Sequence, residues 1–306
     1  MDLAALQPLF MAAYRPISAK VDQVVADQYA ACLRLPQPVD WISAFAEPIA
    51  HRLFFGLFGL DGASAKELMA IADLALKAVS PTDGSQARSH EVQAAVRRCA
   101  LKLAALLPPK VPGTLFNALL PVPAPPPPLP PPPPPPFDPE NGSAFQEQLL
   151  NAAILVMAGV RPAQWAIGLA TWHLLADGGA PLNALKADPK LTDRAAAEEL
   201  MRYDTSTPMS LRHAAKDGVL GGVTLQRGDR LMVCWASASR DEKAYGPGAD
   251  TLDFTRGGTG GAGWAFGTPG GGYECLGREL VLQTLAAVVR TLRQADPMPS
   301  LPTGTR

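Results

Sequence analysis

The chain is poor in the features that mark most kinds of partner. Charged residues make up 18% and leave a formal net charge of -1, so there is no electrostatic footprint for nucleic acid or an anionic membrane, and neither partner is expected. Cysteine is scarce. Cys32, Cys99, Cys234 and Cys275 lie far apart and form no CxxC or Cys/His cluster, which excludes a zinc site and a disulfide framework. Residues 1–13 lack the basic start, apolar stretch and small-residue cleavage site of a secretory signal, so a cytoplasmic protein is expected. Long hydrophobic runs are missing too. The most apolar segment, 149–160, contains Asn151 and meets Arg161-Pro162, too short for a membrane span and readable as a buried core helix.

What is present is a large core. Hydrophobic residues make up 47% of 306, enough to enclose a cofactor. Apolar residues at three and four spacing predict helices over 17–33, 41–57, 65–79 and 91–107, separated by proline or glycine breaks. Residues 121–136 are almost unbroken proline, an extended rod or disordered loop that reads as an insert between an N-terminal part, 1–120, and a C-terminal part, 137–306. Beyond it a long apolar helix is expected over 145–176 and another over 193–203. The period then changes, and 219–224 and 230–235 read as two short strands joined by a turn. A glycine-rich loop over 257–272 precedes a last helix over 276–294. The expected fold is mainly α with a small β component.

One stretch invites chemistry. In Gly270-Gly271-Gly272-Tyr273-Glu274-Cys275-Leu276-Gly277-Arg278-Glu279-Leu280 a cysteine stands immediately before a helix. Free N–H groups and the positive helix end favour a thiolate there, and such a thiolate can be an axial ligand to haem iron. Taken alone, the stretch reads equally as a flexible loop with an incidental cysteine. Its company adds weight. Upstream, in fixed order, stand Glu199-Leu200-Met201-Arg202, then Arg212, Gly228-Asp229, Ser239-Arg240-Asp241 and Asp253-Phe254-Thr255-Arg256.

That order resembles the C-terminal half of a soluble, bacterial-type cytochrome P450, from residue 145 to about 293. The resemblance implies haem b as cofactor with Cys275 as its metal ligand, and Arg212, Phe266, Gly271, Tyr273 and Gly277 around it. It implies that Glu199 and Arg202 form, with Arg256, a buried charge network bracing the cysteine loop. It also implies a monooxygenase for a small organic substrate, served by a ferredoxin and a ferredoxin reductase. More weakly, residues 39–48 resemble the family segment in which an aspartate, here Asp40, precedes a helix.

Three departures bear on that reading. Met1 falls where a complete member is already past its N-terminal sheet and first helices, so the expected fold lacks them and its pocket is open on one side. Phe266 stands nine positions before Cys275, whereas the pattern has a phenylalanine seven before, where Thr268 stands; Tyr273 takes the place of a histidine. In the long helix, Ala158-Gly159 is followed by Val160, Arg161 and Pro162 instead of an acid and a threonine. Pro162 is expected to kink the helix and open a polar groove. An Arg-Pro pair resembles the peroxygenase branch, where Arg161 would hold a substrate carboxylate and hydrogen peroxide would replace dioxygen and reductant. A haem-binding but inactive remnant and a proline-rich interaction module are the remaining alternatives.

Overall fold

The structure is a computed structural model that describes residues 3–60, 67–70, 73, 94, 97–102, 105, 114–115, 144–256, 261–268, 274–297 and 299–300. The proline-rich segment lies outside them, as does most of the helices expected over 65–79 and 91–107. The chain divides into two compact units, Met1–Gln28 with Ser43–Arg161, and Tyr29–Ile42 with Pro162–Arg306.

In the first unit α1 (Leu3–Ser18) occupies a stretch for which no helix was expected, and its end packs on residues 42–58, where Gly56 leaves only 3.0 Å for a Cβ before Ile17. Residues 42–58 form α3, helical as read. Two of its turns, Ile42–Ala46 and His51–Phe55, are wound as π-helix around Glu47–Ala50. Pro48 has no N–H to give the Ala44 carbonyl. That carbonyl instead accepts Gln28 Nε2 at 2.7 Å. Between α1 and α3 runs α2 (Val21–Cys32); the single helix expected over 17–33 is therefore broken near Lys20.

The long central helix, α4 (Ala144–Ala187), contains Pro162, but its backbone angles stay helical there and fail only at Ala176, Asp177, Gly178 and Gly179. The expected kink thus lies elsewhere. Asp177, Gly178 and Gly179 all take positive φ, a left-handed run that only glycine and short polar residues adopt cheaply. Among the described residues, Asn151–Ala187 is long and apolar enough to cross a membrane by composition, with 53% of its most apolar window buried.

The second unit carries α5 (Asp193–Tyr203) against α8 (Arg278–Gln294). Thr192 caps α5 by accepting the Ala195 N–H at 3.1 Å. Leu200, Leu285, Val288 and Leu292 are among the side chains buried there, and Asp193 receives both Arg290 and Arg293 at 3.0 Å. Short helices α6 (Trp235–Ala238) and α7 (Glu242–Tyr245) lie between.

Strand pairing differs from the expectation. Residues 219–224 do not form one strand beside 230–235. They contain a hairpin, β2 (Gly218–Leu220) with β3 (Val223–Leu225), turning on Gly221 (φ 58°) and Gly222 (φ 82°). Two successive positive φ values make the turn that matches the twist of paired strands. β1 (Ser210–His213) pairs with β4 (Arg230–Val233). Since Ala214 N donates to Asp229 O at 2.9 Å and Gly228 N to Ala214 O at 2.8 Å, the two pairs nest into one arm.

Candidate functional site

Arg202 is fully buried, an expensive place for a guanidinium unless every donor is matched. Its Nε and Nη2 donate to the two oxygens of Glu199 at 2.7 Å each, because three residues along α5 bring both side chains to one face. The remaining donors reach the carbonyls of Ser239 (2.9 Å), Ala249 (2.6 Å) and Thr251 (2.8 Å). Glu199 also accepts the Asp253 N–H at 2.9 Å and lies 3.7 Å from Arg256 Nε, while Arg256 donates to the carbonyls of Tyr245 and Gly248 at 2.9 Å. The three residues expected to form a network do meet.

The network reaches the segment before Cys275 through Ser239, already part of the motif order, and through Gly263 and Trp264, to which sequence reading gave no role. Gly263 sits at φ 60°, and a Cβ there would come within 2.9 Å of Arg202 Cγ and 2.8 Å of Ser239 Oγ. Trp264 N donates to that Ser239 hydroxyl at 2.9 Å. Arg240, whose guanidinium donates to the Tyr203 carbonyl through two nitrogens and lies 4.4 Å from the Tyr203 ring centroid, ties the end of α5 to the same segment.

Further along, Phe266 is buried and its carbonyl accepts the Cys275 N–H at 2.9 Å, closing the loop. Cys275 stands just before α8, and its own carbonyl accepts the Arg278 N–H at 3.2 Å. Protein surrounds the sulfur on most sides, yet the side chain keeps an exposed face. Burial pushes the thiol pKa up, and the backbone N–H groups of Gly277 and Arg278 donate to sulfur and oppose that rise; Glu274 adds to it. Among the causes that act on this thiol no cation is present, and a bound metal ion would favour its ionised form. Gly277 itself has ordinary helical φ, so its backbone angle does not demand glycine. Gly271 and Tyr273 lie outside the described residues.

Arg212 is exposed on β1, with Nη1 donating to Ser210 Oγ at 3.1 Å and Leu211 O at 2.8 Å. In the other unit the structure places Arg161 in a cluster of its own. Its Nε and Nη2 donate to both oxygens of Asp73 at 2.7 Å, and Nη1 lies 3.3 Å from Glu47 Oε2. The carboxylates held by Arg161 here are the protein's own, not a substrate's. Gly159 packs on Phe54, which leaves 3.2 Å for a Cβ, and Ala158 is exposed.

No family model matches the chain. It is 33% identical over 141 residues to cytochrome P450 55A3 of Fusarium lichenicola, covering 44% of this chain and 33% of that protein. It is 32% identical over 145 residues to cytochrome P450-SU2 of Streptomyces griseolus, 47% of this chain and 34% of that protein. Among solved structures, CYP109B1 from Bacillus subtilis superposes with TM-score 0.70 at 20% identity, over 95% of this chain and 75% of the other. P450BioI in complex with an acyl carrier protein gives TM-score 0.69 at 21% identity, over 93% and 70%. Over the matched stretches the chain is similar in sequence to cytochrome P450s. Its mostly helical fold with small sheets is a P450 fold, and the cofactor of such proteins is haem b. The chain spans about a third of the length of the curated relatives that it matches.

Proposed function

We propose that the chain is the haem-holding part of a cytochrome P450 monooxygenase for a small apolar or amphiphilic organic substrate, with Cys275 as the residue that would hold the iron. The observation that carries this is the placement of Cys275, exposed immediately before α8 with its N–H held by the Phe266 carbonyl at 2.9 Å. When bound, haem supplies an iron to which a thiolate donates electron density, favouring O–O cleavage. The protein's part is to hold charge and shape. Gly277 and Arg278 stabilise the ionised sulfur, and Glu199, Arg202 and Arg256 keep the loop from shifting under it. Phe266 fixes the Cys275 backbone, while Arg212, Gly271 and Tyr273 are proposed as further haem contacts, Arg212 through a propionate after releasing Ser210. Electrons would come from a ferredoxin and its reductase in the cytoplasm.

The test is spectroscopic. Reduced protein under carbon monoxide should give the strongly red-shifted Soret band of a thiolate-ligated haem, and Cys275→Ser should abolish it; an unchanged band in that variant would falsify the assignment. A peroxide-dependent reaction using Arg161 to bind a carboxylate is the weaker reading, because an added acid must displace Asp73 from a bidentate pair. Turnover with peroxide and a short carboxylic acid, but none with ferredoxin, reductase and dioxygen, would reverse that ranking. Fully haem-loaded protein giving no product by either route would point to an inactive remnant.

A further inference from the structure

The described residues include eleven large hydrophobic side chains that are exposed, and five of them, Met209, Val219, Leu220, Val223 and Met232, fall on the β1–β4 arm. The three most exposed of all form its tip: Val219 at 71%, Leu220 at 64% and Val223 at 62%. Every residue from 215 to 224 is exposed.

The register shows why the tip is unusual. Leu220 is paired with Val223, and Val219 with Thr224. Neighbours along a strand point to opposite faces, so Leu220 and Val223 share one face and Val219 projects from the other. A protein partner laid against one face would leave the opposite side wet. A lipid surface covers both faces of a wedge at once. The Gly221-Gly222 turn adds no side chain to block entry.

Charge points the same way. The chain as a whole carries -1, yet between Met209 and Val233 four basic residues, Arg212, Lys216, Arg227 and Arg230, face two acids, Asp217 and Asp229. Both acids are tied to the arm's own backbone, Asp217 accepting the Arg227 N–H at 2.7 Å and Asp229 the Gln226 N–H at 2.8 Å, and they offset only half of the basic charge. Lys216, Arg227 and Arg230 are exposed behind the apolar tip. An apolar tip with a basic collar suits an interface that is apolar within and anionic at its rim.

We propose that this arm docks peripherally and reversibly on an anionic phospholipid surface, its tip entering the headgroup boundary and its collar meeting the phosphates. The whole-chain charge hid this surface, because the acids that balance the arm lie elsewhere in the sequence. Full-length protein should co-sediment with vesicles of phosphatidylglycerol and phosphatidylcholine, weakly with phosphatidylcholine alone, and less as salt is raised. Replacing the tip together (V219S, L220S, V223S) should lower the partition coefficient at least tenfold, with the circular dichroism melt unchanged because these side chains touch no core. A K216E/R227E variant should lose the preference for anionic vesicles. A Leu220→Trp protein, read by quenching with brominated lipid, checks insertion independently. Three outcomes overturn the proposal: no binding by the parent, binding by the tip variant equal to the parent's, or a parent dimer that the tip variant makes monomeric while neither meets vesicles, which would assign the arm to a second copy of the chain.

Discussion

Arg202 and Arg161 each hold a carboxylate through two nitrogens of the guanidinium, and their surroundings make them different devices. Arg202 is fully buried with Glu199 4% exposed, and it still has donors left for three backbone carbonyls. Arg161 grips Asp73 by the same geometry, but Asp73 remains 39% exposed and Glu47 37%. Water competes for the second pair and not for the first. One arginine therefore braces a segment from inside, while the other clamps a surface, and the interaction energies should differ accordingly.

The largest effect is expected from breaking the buried pair. Glu199→Gln should cost about 3–5 kcal/mol, lower the melting temperature by about 10 °C and release haem. A melt like the parent's would place the pair on a par with Arg161 and erase the contrast. Replacing both Glu199 and Arg202 by methionine should not restore stability, because the carbonyls of Ser239, Ala249 and Thr251 and the Asp253 N–H would be orphaned. A double variant as stable as the parent would show that the pair itself, not its backbone bonds, carries the cost.

Next comes the contact between brace and loop. Gly263→Ala adds a methyl at positive φ against Arg202 Cγ and Ser239 Oγ, which should cost roughly 1–3 kcal/mol and perturb the haem spectrum. If only stability falls while the spectrum stays, the network supports the fold without setting the position of Cys275. Arg161→Ala should cost about 1 kcal/mol or less, and that loss should shrink further in an Asp73→Asn background, as a double-mutant cycle would read. A loss matching that of Glu199→Gln would mean that the clamp is as dry as the brace.

The smallest effect concerns acid. Asp253 is held below its ordinary pKa, chiefly by the Thr255 hydroxyl and also by the Thr255 N–H, Arg256 and Arg202. Its folded pKa lies under the unfolded one, so its stabilisation is complete above the ordinary carboxylate range, about pH 4 and higher, and is lost as pH falls through the folded value. Thr255→Val should therefore lower stability slightly at neutral pH and leave it nearly unchanged below the folded pKa, so that the acid limb of a stability-against-pH curve flattens.

Much of this was legible from residues alone. The bounds of α5 agree with the helix expected over 193–203, and the structure adds Thr192 as its cap. α3 and the first stretch of α4 follow from apolar periodicity. Other elements were misread because a local signal met a competing one. Pro162 reads as a kink, but the backbone angles around it hold and the real interruption falls at Asp177-Gly178-Gly179. The strands were mispaired because Gly221-Gly222 reads as an interruption inside one strand, when two positive φ values make it the turn of a hairpin. Nothing marked residues 3–18 as a helix beforehand, since Pro8 and Pro16 break the pattern that would announce it.

The sequence by itself determined a mainly helical chain whose motifs resemble those of P450s, with a thiol at Cys275, because the order of Glu199, Arg202, Arg256 and Cys275 is a property of the string. Only the tertiary structure decided what each charge does. Glu199–Arg202 and Arg161–Asp73 are both written as an acid and a base. Which of them is dry depends on residues 37 to 49 positions further on closing over Arg202, and burial, not residue type, sets whether an ion pair is a brace or a surface contact.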